Sequence, residues 1–385
     1  MKTLYHDVIV VGAGPGGSAC ASHLSREGVD VLLVDKETFP RDKPCGDCQS
    51  GFAHGHLKDL GVLDEVASKG FENRGILLTS PDYSRVALEA PTKGMRFNTP
   101  RRIFDDIMRR NAIRHGAEML EQFWVYDVIK EDGFVRGVKA KYQGEYIELR
   151  SKIVIGADGS HSMVARAIDM FPDEDSDVAV VGRCYYADVS LEGFNEIHFD
   201  KNVLPGYVWV FPERDNVANV GLGFNRDRYT EGKTLEEYLE IWIESSPYGK
   251  ALKGKKRIGR FKGWRIPSGA QAMDNYAAGV MLIGDAGSMV MPLTGEGIGP
   301  AFETAKFAAE VSMKALKADD FSADVLKEFA ERTRSTYQPK YQSVKAMERL
   351  FRSPEAINHG VRQVIENDAL RQKFTQEWFF EAYGK

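Results

Sequence analysis

Cysteine, long apolar runs and excess positive charge are all scarce in this chain, and each scarcity removes a class of protein. Four cysteines stand in 385 residues, Cys20, Cys45, Cys48 and Cys184, at irregular spacing. That is not the framework of a disulfide-stapled secreted domain, and it points to a reducing, cytoplasmic compartment. No stretch approaches the roughly 18 uninterrupted apolar residues of a membrane-spanning helix. The apolar run near the N-terminus is too short for a signal peptide, and Asp7 and a glycine loop break it. Lys and Arg number 51 against 56 Asp and Glu, a net charge of −5, so no global basic field draws nucleic acid. Internal repeats and low-complexity tracts are absent. What is left, 43% hydrophobic with 37 glycines and 15 prolines, is an ordinary globular composition. A chain this long should fold as roughly two to three units, with room for a large core and a sizeable ligand.

The most informative stretch is 6–35. Val8 to Val11 is a short β-branched run, the pattern of a buried parallel strand. Gly12-Ala13-Gly14-Pro15-Gly16-Gly17 follows, a G-x-G-x-x-G. The spacing predicts a helix over 18–27, ended by Gly28, and then a second strand, Val31 to Val34, leading to Asp35. In this context the first glycine permits the tight turn, the second lets a pyrophosphate approach the backbone, and the third lets helix pack on strand. The helix N-terminus offers free N–H groups to the anion. Asp35 lies 18 residues after Gly17, where a carboxylate can accept from a ribose hydroxyl. Strand, glycine loop, helix and acid together predict a dinucleotide site.

Further along, Phe52 to Leu60 reads as a helix, and 71–92 as one or two strands around a turn at Pro81. Ile103, Phe104, Ile107, Met108 and Ile113 recur at helical spacing, so an apolar face is expected there. Segments 123–129, 134–142 and 146–149 alternate like a β-meander. Ile153 to Ile155 is another buried strand, running into Gly156-Ala157-Asp158-Gly159. An acidic linker is expected at 169–178, a strand-rich region at 180–224, a helix at 234–246, and a basic, solvated stretch at 250–260. A last buried strand, Gly279 to Ile283, leads to Gly284-Asp285-Ala286-Gly287, and a long helix starts near Pro300. The end of the chain is helical and aromatic, with Trp378, Phe379, Phe380 and Tyr383. Dinucleotide-type strands thus occur at the start, middle and end. The fold class expected is α/β: a discontinuous Rossmann-type cofactor domain (1–70, 95–170 and 270–325), an inserted antiparallel β-sheet substrate domain (71–94 and 171–269), and a C-terminal helical segment (326–385).

Three glycine–acid clusters, each after an apolar strand, should converge at the carboxyl ends of one sheet. Here the chain resembles the FAD-dependent hydroxylases and reductases with the fold of p-hydroxybenzoate hydroxylase. The resemblance implies FAD, with Gly12, Ala13, Gly14, Pro15, Gly16 and Gly17 at the pyrophosphate, and Asp35 with its neighbour Lys36 at the adenosine ribose. It places Asp158 and Gly159 in the shared nucleotide motif and Asp285 near the flavin-side ribose. Gly295, Gly297 and Ile298 would lie near the isoalloxazine ring. Arg101 heads R-R-I-F-D, similar to a signature arginine near the FAD in this class; the doubling leaves Arg102 as the alternative contact. No second nicotinamide fingerprint exists, so an external donor, NAD(P)H or ferredoxin, has no Rossmann domain of its own here.

A second set of motifs narrows the class. Tyr207-x-Trp209-x-Phe211-Pro212 is followed after eight residues by Gly221-x-Gly223. On a strand, Tyr207, Trp209 and Phe211 share one face. By the residues alone that face is either a packed core or an apolar binding wall. The pattern resembles the signature of the geranylgeranyl reductase family. Pro44-Cys45-Gly46 is similar to a second element of that family, whereas Cys48 departs from it. The resemblance covers residues 6 to about 325 and implies reduction of prenyl double bonds. It also implies a prenylated lipid or small-molecule substrate, contact with the inner membrane surface, and an electron-donor partner. Cys45 and Gly46 would lie at the flavin, Tyr207 and Cys45 are candidates for catalysis, and Tyr207, Trp209, Phe211, Pro212, Gly221 and Gly223 are candidates for the substrate wall. Two alternatives stay open: a monooxygenase or halogenase of the same fold acting on an aromatic, and a flavin-linked thiol–disulfide protein using Cys45 and Cys48. His54 and His56 suggest no metal site, since two more ligands are wanting.

Overall fold

A computed structural model of the chain describes residues 5–90, 96–172, 178–226, 232–267, 274–348 and 350–376. The first sheet has eight strands. Its parallel core places Tyr5–Val11 between Glu145–Gly156 and Val31–Val34, with Val280–Leu282 beyond the former and Glu118–Leu120 beyond the latter. The β-branched runs are buried on both faces because each face has a cover. Val8, Val10, Leu33 and Ile155 point to one side, against Ala19 and Leu24 of the Pro15–Arg26 helix, Phe104 and Met108 of Arg101–Arg114, and Phe302 and Ala305 of Ile298–Ala318. Ile9, Val11, Leu32 and Val154 point to the other, against Val125, Val128, Val138 and Leu149 of the meander. Each such side chain contributes about 1.5–3 kcal/mol on burial.

The first helix begins three residues earlier than its periodicity suggests. Gly14 is its N-cap and Pro15 its first residue, where a missing N–H costs nothing. The 101–114 helix also differs from expectation: Ile103 and Ile113 are exposed, at 38% and 40%. Its inner stripe is Phe104, Ile107, Met108, Asn111 and Ala112, the i, i+3, i+4 set, from which 103 and 113 diverge.

The second sheet has seven strands, in the order Arg257–Pro267, Val178–Tyr186, Ala218–Asn225, Tyr207–Pro212, Asn195–His198, Gly75–Thr79, Arg85–Glu89. It is antiparallel except where Asn195–His198 pairs parallel with Gly75–Thr79, two stretches far apart in sequence. One face packs on the Leu235–Ser245 helix through Val208, Val220, Leu222, Leu239 and Trp242. A capping box between Thr234 and Glu237 starts that helix. A third, three-stranded sheet of Cys48–Gln49, Phe97–Asn98 and Phe71–Glu72 lies where the chain leaves for the second sheet and returns.

The C-terminal helices divide between the two units. Leu326 and Phe329 of Ala323–Glu348 join the cofactor-side core. Ile357, Val361 and Val364 of Pro354–Glu366 pack on Ile76, Leu78 and Leu88 of the second sheet. The aromatic residues expected at 378–383 and half of the acidic linker, 173–177, lie outside the described residues. Within the basic stretch, Lys253 pairs with Glu244 at 2.5 Å and Arg257 pairs with Glu236, as a solvated face does.

Candidate active site

Three loops meet at the carboxyl ends of the parallel strands. Gly12 has φ of 102°, and a Cβ there would come within 2.3 Å of the Ala157 carbonyl oxygen. The first loop is thus pressed against the G-A-D-G loop. Gly14 is open: the nearest atom to a Cβ there is a guanidinium nitrogen of Arg41, 3.7 Å away. No side chain caps the helix that begins at Pro15. Its first N–H groups and the nearby Arg41 therefore form an anion cradle. That cradle fits the pyrophosphate of FAD.

The acids fare differently from one another. Asp35 is 8% exposed; one carboxylate oxygen accepts the Ala13 N–H at 2.8 Å and the other the Glu37 N–H at 2.9 Å. It holds the glycine loop in place, and Lys36 beside it is exposed. Asp158 accepts from the Ser162 hydroxyl at 2.6 Å and from the Met163 and Val164 N–H groups at 2.6 and 3.2 Å. It caps the Met163–Ala167 helix, while Gly159, at φ of 77°, opens the turn between them. Asp285 accepts from Lys43 Nζ at 3.2 Å. A Cβ on Gly297 would lie 3.4 Å from the Asp285 carboxylate, so the third glycine cluster and the Gly295–Ile298 turn adjoin. Glu296 accepts the Gly299 N–H at 2.9 Å, and burial pushes its carboxyl above the ordinary glutamate value.

The doubled arginine resolves clearly. Arg101 is buried and bonds Asp105 twice, at 2.6 and 2.8 Å; Arg102 faces outward. Arg41 donates to the same carboxylate at 2.7 Å. Burial alone would push Asp105 up, but the two guanidiniums outweigh it and hold the group below the ordinary value. Arg101 also touches the Cys45 thiol.

Tyr207, Trp209 and Phe211 lie on one strand face with ring centroids 6.2 and 6.4 Å apart. Phe199 and Phe351 extend the row. In the ladder Trp209 faces Gly221 and Tyr207 faces Gly223, which accounts for the motif's spacing. A Cβ on Gly221 would come within 2.2 Å of the indole; glycine lets Trp209 lie down across the next strand. Pro212 ends the strand, its carbonyl taking the Asn98 side-chain N–H at 2.7 Å. Tyr207 donates to the Thr294 carbonyl at 2.6 Å, tying the wall to the Pro292–Gly295 turn. Burial keeps this phenol protonated by pushing it above its ordinary value. Between wall and turn is an apolar cavity, lined by Val181, Tyr207, Trp209 and Ile266 on the sheet side and by Met291, Pro292, Leu293 and Gly295 opposite.

Cys45 and Cys48 are unpaired thiols. Cys45 lies by Arg101; Cys48 accepts from Arg96 at 3.4 Å. Burial pushes both thiols up. Among the described residues no His/Cys/Asp/Glu group is arranged for a metal, and His56 is engaged with Glu303 at 2.9 Å.

The residues the sequence did not single out hold these parts together. Asn219 donates to the Cys45 carbonyl and to Asp47, both at 2.8 Å, and accepts the Trp209 indole N–H at 2.9 Å. Asp47, fully buried at φ of 61°, also accepts from the Tyr185 hydroxyl at 2.5 Å and the Arg101 N–H at 3.1 Å. Burial pushes its carboxyl up to about 6, against the pull of Arg183. The available signal was weak: one amide in an apolar strand, and one acid between two cysteines.

Comparisons with known proteins fit this geometry. Residues 5–309 match the family described as an FAD binding domain. The chain is 32% identical over 340 residues to digeranylgeranylglycerophospholipid reductase 2 of Methanococcoides burtonii, covering 86% of this chain and 80% of that protein. It is likewise 32% identical to the digeranylgeranylglycerophospholipid reductase of Methanosarcina acetivorans, covering 86% and 81%. Among solved structures, a geranylgeranyl bacteriochlorophyll reductase-like protein of Thermoplasma acidophilum superposes with a TM-score of 0.87 at 24% identity, covering 99% and 98% of the two chains. A flavin-dependent brominase superposes with a TM-score of 0.80 at 22% identity, covering 98% and 94%. At those identities the structural likeness is one of fold.

Proposed function

Because the chain belongs to the family of digeranylgeranylglycerophospholipid reductases, we propose that it is an FAD-dependent reductase saturating carbon–carbon double bonds of a prenyl chain borne by a lipid. The observation that carries this reading is the aromatic row of Tyr207, Trp209 and Phe211 beside an apolar cavity. A flat, apolar strand face suits an extended hydrocarbon better than a compact polar substrate.

When bound, FAD supplies the hydride chemistry. The residues that would hold it are the 12–17 loop with Arg41 at the pyrophosphate, Asp35 at the ribose, and the 285 and 295–298 turns at the flavin end. The remaining work falls to the chain. The aromatic wall orients the alkene, Tyr207 braces wall against turn, and Cys45, beside Arg101, stands where the wall and the cofactor loops meet. The electron donor, NAD(P)H or a ferredoxin-type protein, approaches from outside. The lipid substrate brings the protein to a membrane surface, although among the described residues no helix is long and apolar enough to cross one.

The test is anaerobic. The flavoprotein is reduced with dithionite and mixed with a geranylgeranylated glycerophospholipid or with geranylgeranyl diphosphate. Flavin reoxidation with the gain of one H2 per double bond is the expected result. Reoxidation only in air, with an oxygenated aromatic product, would replace this reading by the monooxygenase.

A further inference from the structure

Alkene reduction needs a proton for each hydride, and the aromatic wall itself offers no strong acid. Behind it lies a polar cluster, buried at Asp47, Arg183 and Glu213 and open to solvent at Lys262. Glu213 follows Pro212 directly, is 5% exposed, and has no hydrogen-bond partner for either carboxyl oxygen. By alternation it shares the strand face of Phe211, whose ladder neighbours Asn219 and Tyr185 both bond Asp47, and the charges of Asp47 and Arg183 act on it. Arg183, 2% exposed, bonds Asp42 and the Lys43 carbonyl through one terminal nitrogen while its buried Nε has no hydrogen-bond partner, and Lys262 bonds Asp42 at 2.7 Å.

The charges do not balance if every carboxyl is ionised. Asp42, Asp47 and Glu213 are three acids against Arg183 and Lys262. Tyr185 and Asn219 give Asp47 hydrogen bonds but no charge. On the far side Arg101 turns its guanidinium to Asp105 and the Cys45 thiol, and offers Asp47 only its backbone N–H. Two carboxyls buried together without a second cation share a proton rather than both ionise. The Cys45 thiol adjoins this pair, accepting the Asp47 N–H.

We propose that Asp47 and Glu213 hold one proton between them and pass it to Cys45, which protonates the alkene. This rests on the prenyl reductase reading. The Cys45 S–H bond breaks as a C–H bond forms on the carbon that does not receive hydride. Arg101 stabilises the thiolate for that interval. The carboxyl pair then reprotonates the sulfur, and water refills the pair. Asp47 and Glu213 are positioning and proton-storing groups, one step removed from the substrate.

Infrared spectroscopy of the protein tests the store directly, with or without FAD. At pH 7 the wild type should show a deuterium-sensitive protonated-carboxyl stretch that is lost in Glu213→Gln, where Asp47 keeps Arg183 to itself, and regained on acidification. Absence of the band in wild type, or an undiminished band in both Glu213→Gln and Asp47→Asn, overturns the proposal. Folding stability of the FAD-free protein gives a second reading. Asp47 is raised from an ordinary 3.8 to about 6, so its contribution is full below about pH 4 and is lost as pH rises through about 6. Glu213→Gln should flatten that loss, and an unchanged slope counts against the pair. In turnover, kcat of the wild type should fall with rising pH, and Glu213→Gln should move that limb down by about one unit, a tenfold loss on the alkaline side, with KM and the rate of flavin reduction kept. An unmoved limb overturns the delivery step. The protein-only readings hold whatever substrate is reduced, so failure of the reductase reading is recognised separately.

Discussion

Asn219 accepts the indole N–H of Trp209 at 2.9 Å while its amide nitrogen holds the Cys45 carbonyl at 2.8 Å. One fully buried side chain therefore joins the aromatic wall to the thiol loop. Replacing it by leucine keeps the volume but leaves the indole N–H, the Cys45 carbonyl and Asp47 short of partners. Unmet buried groups cost about 1–3 kcal/mol each. Asn219→Leu should lower the urea midpoint clearly and reduce kcat more than it raises KM. A variant as stable as wild type would deny the amide its structural role.

Gly221 permits the flat indole. Gly221→Val inserts atoms where Trp209 already lies, and overpacking of this kind costs about 1–3 kcal/mol. The expected result is a lower Tm and a raised KM for the prenyl substrate. Combining it with Trp209→Leu should restore part of the Tm, since the Gly182 carbonyl oxygen would still lie 2.4 Å from the new Cβ, without restoring KM. A double-mutant cycle measures that coupling, and additive losses would show that the two residues do not meet.

Tyr207 braces the wall through a single hydrogen bond to Thr294. Tyr207→Phe removes about 1 kcal/mol of net bonding, so KM should rise by about fivefold with kcat nearly kept. A hundredfold loss of kcat at constant KM would instead place the phenol in the proton transfer.

The Arg101–Asp105–Arg41 group predicts an acid limit. Asp105 sits below its ordinary value, so its contribution to stability is present above the unfolded carboxylate value, near pH 4, and is lost as pH falls through the lower folded value. Asp105→Asn strands two guanidiniums, one of them buried, and should cost about 3–5 kcal/mol at neutral pH. Urea midpoints taken from neutral to acid pH should fall steeply in wild type and less so in the variant.

Much of this was legible in the chain because local rules and global fold agree. The 12–17 loop could be read from its flanking strand, helix and Asp35, all of which the fold uses. Tyr207, Trp209 and Phe211 share a face because alternation is a property of any strand. Their partners were harder to see. Gly221 made sense only once the ladder set it opposite Trp209, and Asn219, Asp47 and Glu213 matter through contacts between residues up to 174 positions apart. Asp158 illustrates the converse: its motif suggested the nucleotide, yet its oxygens are taken up by the helix that follows. The apolar periodicity at 103–113 overstated its stripe, since helical spacing alone does not say where the neighbouring layer ends.

The parallel pairing of Asn195–His198 with Gly75–Thr79 has a kinetic corollary. Asn195 meets Ile76 across 119 positions (195 minus 76), and the Tyr207–Pro212 strand takes its place beside that pair. Closing so long a loop is entropically costly before any contact rewards it. The intervening chain includes the meander, whose strands pair with their sequence neighbours, and Glu145–Gly156 of the cofactor sheet, whose partner Tyr5–Val11 lies 145 positions away (150 minus 5). Both sheets therefore wait on long-range closures, and the meander, built from neighbouring strands, is the part of the chain that can form ahead of either.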